Sequence, residues 1–209
     1  MDKRFWAIIG VIVIIFGGLV LLKGNKANAP SGTQPTNHTQ GTGTKGVTLV
    51  EYGDYECPIC KEYYPTVKQV VSQYGNQIVF QFRNLPLTQI HPNAFAGARA
   101  AEAGGMQNKY WQMHDTLYEN QDTWAASKNA LTYFDQYAQS LGMNVTQFNK
   151  DFNSSTVNNH INADLSAFAK TGEQEATPTF FLDGTYVKPT PDISSFTQLI
   201  NAEIAKKNK

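Results

Sequence analysis

Apolar residues are spread unevenly along this 209-residue chain, and their spacing changes character several times. Phe5 to Leu22 is an unbroken run of apolar residues and glycine, close to the lower limit of the roughly 17 to 25 residues that cross a bilayer as a helix. Gly24 to Gly46 is mostly Gly, Asn, Thr, Ser, Pro and Gln without apolar periodicity, the pattern of a flexible tether with a reach of about 25 Å. Val47 to Gly53 then has the character of a strand. Pro58 to Tyr74 has helical spacing and stops at Gly75, and Ile78 to Phe82 forms a second strand. A strand-helix-strand unit predicts parallel strands and a right-handed crossover. Pro65 lies inside the helix and should kink it.

A helical block follows. Phe95, Ala98 and Ala101 precede Gly104-Gly105. Tyr110, Trp111, His114, Leu117 and Tyr118 make a second stripe, Leu131, Phe134, Ala138 and Leu141 a third, and Val157, Ile161, Leu165 and Phe168 a fourth. Stripes of this kind are expected to pack as core. The chain then returns to strands: Thr179 to Leu182 and Thr185 to Val187 flank Asp183-Gly184, a two-residue hairpin signal. Ile193, Phe196, Ile200 and Ile204 mark a final helix capped by Asp192. The expected organisation is an anchor at 1–23, a linker at 24–46 and one domain at 47–209, with a helical insertion at about 90–172.

Seventeen basic residues balance 17 acidic ones, so nothing points to nucleic acid as a partner. The apolar run is expected to put the long carboxyl-terminal part, with its cysteine pair, beyond a membrane. Ala27-Asn28-Ala29 also resembles a signal-peptidase site, but the run exceeds a signal h-region and Pro30 would follow the scissile bond, so an uncleaved single-pass anchor is expected. Charge does not orient it, because Lys23 and Lys26 balance Lys3 and Arg4.

The only cysteines are Cys57 and Cys60, separated by Pro58 and Ile59 at the predicted helix start. A structural disulfide stabilises chiefly by closing a long loop, and two intervening residues close almost none. Zinc would need two more ligands, and His38, His91, His114 and His160 lie too far apart in sequence for a ligand pair; no metal or organic cofactor is expected. A helix N-terminus favours thiolate, and proline fits its first turn, so the pair points to redox exchange. A pair kept for disulfide exchange fits the oxidising, extracytoplasmic side of a cell membrane.

Three segments carry a family resemblance: Glu51-Tyr52-Gly53-Asp54-Tyr55-Glu56-Cys57-Pro58-Ile59-Cys60, Leu85-Pro86-Leu87 through His91-Pro92-Asn93-Ala94, and Ala176-Thr177-Pro178-Thr179-Phe180. With the element order, they make the chain resemble the DsbA-like thiol-disulfide oxidoreductases over about residues 47 to 207. The implied fold class is α/β, a thioredoxin fold interrupted by an all-helical insertion.

The resemblance implies that Cys57 is the exposed thiol that forms mixed disulfides and Cys60 its buried partner, with Pro58 and Ile59 tuning the potential. The strongest oxidants of the family carry an imidazole between the cysteines. Ile59 supplies neither proton nor charge, so a weaker oxidant is expected. Thr177-Pro178 matches the cis-proline loop, whose backbone pairs with an extended substrate. Glu51 matches a buried acid that moves the Cys60 proton; strand alternation leaves open whether it faces solvent. His91 and His114 are expected to be structural.

The implied activity is disulfide formation in secreted or surface proteins by a monomer, acting on reduced or unfolded polypeptides and reoxidised by a quinone-coupled membrane partner. A reductase or isomerase on the same fold remains open, because direction depends on potential. A non-catalytic peptide-binding holdase also remains open; mutating both cysteines would separate it from the enzymes.

Overall fold

The computed structural model describes residues 34–208. The anchor expected at Phe5 to Leu22 lies outside the described residues, and no described helix is long and apolar enough to cross a membrane. The elements run β1 (His38–Gln40), β2 (Val47–Gly53), α1 (Pro58–Tyr74), β3 (Ile78–Asn84), α2 (Ala94–Gly105), α3 (Tyr110–Glu119), α4 (Gln121–Ala125), α5 (Leu131–Ser140), α6 (Val145–Phe152), α7 (Ser155–Ala169), β4 (Thr179–Leu182), β5 (Thr185–Val187) and α8 (Ile193–Lys207).

The strands form one sheet in the order β1-β3-β2-β4-β5. β2 and β3 pair in parallel, with Val47 beside Ile78 and Gly53 beside Asn84. The three other pairings are antiparallel. β4 and β5 turn at Asp183-Gly184, where both residues take the positive φ that a tight hairpin of this kind demands.

The register divides the sheet into two faces. Leu49 and Glu51 share one face with Phe80, Phe82, Phe180 and Leu182. Helices α1 and α8 bury their apolar residues with this group, with the Phe180 and Phe196 rings edge to face at 5.2 Å. Val50, Tyr52 and Phe181 occupy the opposite face and pack with Phe168 of α7. The core continues into the helical block through Tyr55, Phe82, His114 and Tyr118, whose rings meet at 4.8 to 6.4 Å. Side-chain caps start α6, α7 and α8: Asn144 accepts from Gln147, Ser154 from Val157 and Asp192 from Ser195. Pro65 lies inside α1, which continues to Tyr74.

The tether expected through residue 46 is corrected in its second half. β1 pairs with β3 at the sheet edge, His38 opposite Phe82 and Gln40 opposite Phe80. Just before β1, Thr36 is buried and gives its N–H and hydroxyl to the two oxygens of Asp164, each at 2.7 Å. After it, the Thr42 and Lys45 N–H groups bond to the Gly75 and Gln77 carbonyls. Backbone and polar bonds hold this strand, so no apolar alternation announces it.

Candidate functional site

Cys57 is the N-cap of α1, with extended backbone (φ −69°, ψ 122°), and Pro58 opens the helix. This geometry aims the first N–H groups of the helix at the Cys57 sulfur. Its pKa falls from an ordinary 9.0 to about 6. The Cys60 thiol is the main donor to it, and the Thr177 side chain and the Cys60 and Ile59 N–H groups add to the effect against the cost of burial. Cys60, one turn on, has no exposed surface, and burial together with its bond to Cys57 pushes its pKa well above the usual thiol range. The two sulfurs are therefore unequal, with negative charge favoured on Cys57.

Cys57 is less open than expected, retaining only 5% of its surface. The cover comes from the loop before β4, where the Thr177-Pro178 bond is cis and the Cys57 thiol donates to the Thr177 carbonyl at 3.5 Å. The Thr177 hydroxyl is buried without a partner among the described residues and is available to stabilise a Cys57 thiolate. Ile59 is 48% exposed beside the pair.

Glu51 lies on β2 beneath the pair, between Phe82 and Phe180 in register. It is buried, and desolvation, with a smaller contribution from charge on Cys57, raises its pKa from 4.5 to about 8. The solvent-facing alternative is thereby removed. Gly53, two residues on along the same face, leaves room for the aromatic floor: a Cβ there would lie 2.5 Å from the Phe82 ring.

Two residues that shape this site, Asp54 and Gln121, were not singled out from the sequence. Asp54, fully buried, accepts from the Glu56 N–H, the Leu87 N–H and His91 Nδ1 at 2.7 to 2.9 Å. It thus fastens the loop of residues 85–93 to the segment just before Cys57. His91 belongs to this loop rather than to a helix. Gln121 on α4 donates to the Tyr55 and Cys57 carbonyls at 2.8 and 2.9 Å. His114, on α3, is buried against Tyr55, and desolvation lowers its pKa to about 3. Among the described residues, no group of three or more His, Cys, Asp or Glu side chains is placed to hold a metal ion. A cavity of about 480 Å³ lined by Tyr52, Arg83, Lys170 and Phe181 lies on the other face of the sheet and includes neither cysteine.

Comparisons with known proteins agree with this architecture. BdbD from Bacillus subtilis superposes with a TM-score of 0.70 at 22% identity, covering 82% of this chain and 96% of that one. A thioredoxin-like oxidoreductase from Silicibacter pomeroyi DSS-3 gives 0.69 at 24% identity, covering 83% and 95%. Alpha-DsbA1 of Wolbachia pipientis gives 0.69 at 19%, covering 83% and 93%. These are likenesses of fold. In sequence, the chain is 33% identical over 170 residues to a protein named Na(+)/H(+) antiporter NhaA 1 from Mycolicibacterium vanbaalenii, a match that covers 79% of this chain but only 26% of the antiporter. A similarly named protein, NhaA 3 of Salinispora tropica, is 34% identical over 148 residues, covering 71% of this chain and 22% of its own length. The family model described as Thioredoxin matches residues 33–202, and the chain belongs to that family.

Proposed function

We propose that this chain is an extracytoplasmic thiol-disulfide oxidoreductase that forms disulfides in secreted or surface polypeptides. The observation that carries the reading is the inequality of the two sulfurs: Cys57 at about 6 beside a Cys60 held well above the thiol range. In the oxidised enzyme a substrate thiolate attacks Cys57 Sγ and the Cys57–Cys60 bond breaks. Cys60 leaves as a thiolate and takes a proton, for which the neutral Glu51 carboxyl is the nearby source. A second substrate thiolate attacks the substrate sulfur of the mixed disulfide, and Cys57 leaves as the stabilised thiolate. Two electrons pass from the substrate dithiol to the enzyme disulfide, which becomes a dithiol. The Thr177 backbone holds the substrate as an added strand.

The apolar run Phe5 to Leu22 supports a single-pass anchor in the cell membrane, with the catalytic domain on the oxidising side. The family resemblance supports reoxidation by a quinone-coupled membrane protein and action as a monomer. The test is to mix the oxidised protein with a reduced, unfolded disulfide protein and count thiols on both. The expected result is one enzyme disulfide lost per substrate disulfide gained, abolished in Cys57→Ser. Substrate binding without loss of thiols, unchanged in a variant lacking both cysteines, would establish a peptide-binding module in its place.

A further inference from the structure

A cavity of about 210 Å³ is lined by Pro86, Leu87, Thr88, Gln89, Ile90 and Glu175. Both of its walls are tied closely to Cys57. On one side, the Leu87 N–H and His91 Nδ1 bond to Asp54, whose carbonyl accepts the Cys57 N–H at 3.2 Å. On the other, Glu175 is two residues before Thr177, so their Cα atoms are at most about 7 Å apart, and the Thr177 carbonyl is 3.5 Å from the Cys57 sulfur. A chain paired with the Thr177 backbone therefore continues past this opening within two or three residues of its reacting cysteine.

The lining has a definite chemistry. Pro86, Leu87 and Ile90 are apolar, and Ile90 is 69% exposed on a loop that Asp54 holds fast. Glu175 is the only charged residue of the lining. An aliphatic stem ending in a cation matches this arrangement, because lysine and arginine lay their methylenes on apolar surface and keep the charge at a polar edge. Glu175 is exposed, so a cation there gains a screened attraction, a purely apolar side chain gains none, and an acidic one is repelled.

We infer that the cavity between residues 86–90 and Glu175 is a substrate subsite for a lysine or arginine side chain close to the reacting cysteine. This rests on the oxidoreductase reading and names the polypeptides it favours. Chains with a basic residue two or three positions from a cysteine are oxidised first, and those with an acidic residue there are oxidised last.

The test uses short dithiol peptides that differ only in having Lys, Ala or Glu at two and at three positions from one cysteine, on either side, oxidised by the full protein. The lysine peptide should react about two- to fivefold faster than the glutamate peptide, the sum of one attraction gained and one repulsion avoided at an exposed carboxylate. Glu175→Lys should reverse the order, and Glu175→Gln should level it. Dithiothreitol, which reaches Cys57 without using the cavity, is run with the parent protein. If dithiothreitol is oxidised but the peptides react alike, or if Glu175→Lys leaves their order unchanged, the subsite is refuted while the oxidoreductase reading stands. If dithiothreitol is not oxidised, both fall.

Discussion

The Cys57 thiol lies 3.5 Å from the carbonyl oxygen of Thr177, a residue 120 positions away in sequence. This contact joins the helix N-terminus beside the sulfur to the loop before β4, the loop to which the proposed function assigns substrate binding. The Thr177 hydroxyl at the same place has no partner among the described residues and is available to a Cys57 thiolate.

The first expectation follows from that hydroxyl. Alkylation of the reduced protein should modify Cys57 well before Cys60, with a rate that rises through an inflection near pH 6. Thr177→Val removes the donor and should move the inflection upward. Equal labelling of the two cysteines, or an unmoved inflection in Thr177→Val, would contradict the assignment.

Glu51 makes a stability prediction whose sign can be worked out. Its carboxyl keeps a proton in the fold up to about pH 8, whereas the unfolded chain loses it near 4.5. The unfolded state is therefore favoured progressively between those two values, and the penalty levels off above the upper one. In the reduced protein Glu51→Gln should be more stable than the parent by on the order of 2 to 4 kcal/mol at pH 8 and equal to it at pH 4. Urea unfolding at both pH values decides; a difference that does not change with pH would remove Glu51 from the buried site.

A second titration lies away from the cysteines. The buried Glu102 carboxylate accepts from His38 at 2.9 Å, His160 at 3.1 Å and Asn84 at 2.8 Å. Burial alone would raise its pKa, but these bonds, led by His160, bring it down to about 2. The same bond raises His160 above 6.5, aided by the Asp164 charge that also faces it. A raised histidine stabilises fully below its unfolded pKa, and the contribution is lost as pH rises through the folded value. A lowered carboxyl works in the opposite sense, and its contribution is lost on acidification from about 4.5 toward 2. His160→Gln should therefore cost stability at pH 5.5 and little at pH 9. The pH dependence of the unfolding midpoint, variant against parent, measures it.

Ile59, exposed between the cysteines, offers the Cys57 thiolate neither proton nor charge. Ile59→His should lower the Cys57 pKa further and make the disulfide more oxidising, each 30 mV amounting to about 1.4 kcal/mol for the two-electron couple. Faster oxidation of a reduced substrate is the expected outcome. An unchanged or lower potential would shift control of the couple to Glu51 or the Thr177 loop.

What could be read from the sequence depended on how each residue is held. β2, α1, β3 and the Asp183-Gly184 hairpin were legible because their apolar spacing and turn chemistry agree with their tertiary setting. Cys57 and Cys60 were legible because their two-residue spacing at a helix start has few structural uses. β1 was not: its residues His38, Thr39 and Gln40 are polar and are kept in place by an edge ladder and by Thr36 on Asp164. The short α4 carries too few apolar positions to show a period, so Gln121, which holds the Cys57 carbonyl, had no signal. Asp54 stood inside the motif before Cys57, but its bonds from Leu87 and His91 are tertiary contacts that no spacing reveals.

The most direct measurement is the reduction potential of the Cys57–Cys60 pair, equilibrated in glutathione buffers with trapped thiols counted by mass. The account predicts a single two-electron transition in which both thiols appear together, at a potential above the roughly −270 mV of a reducing thioredoxin. Thiols that never pair, or a transition at or below that value, would contradict a disulfide-forming role.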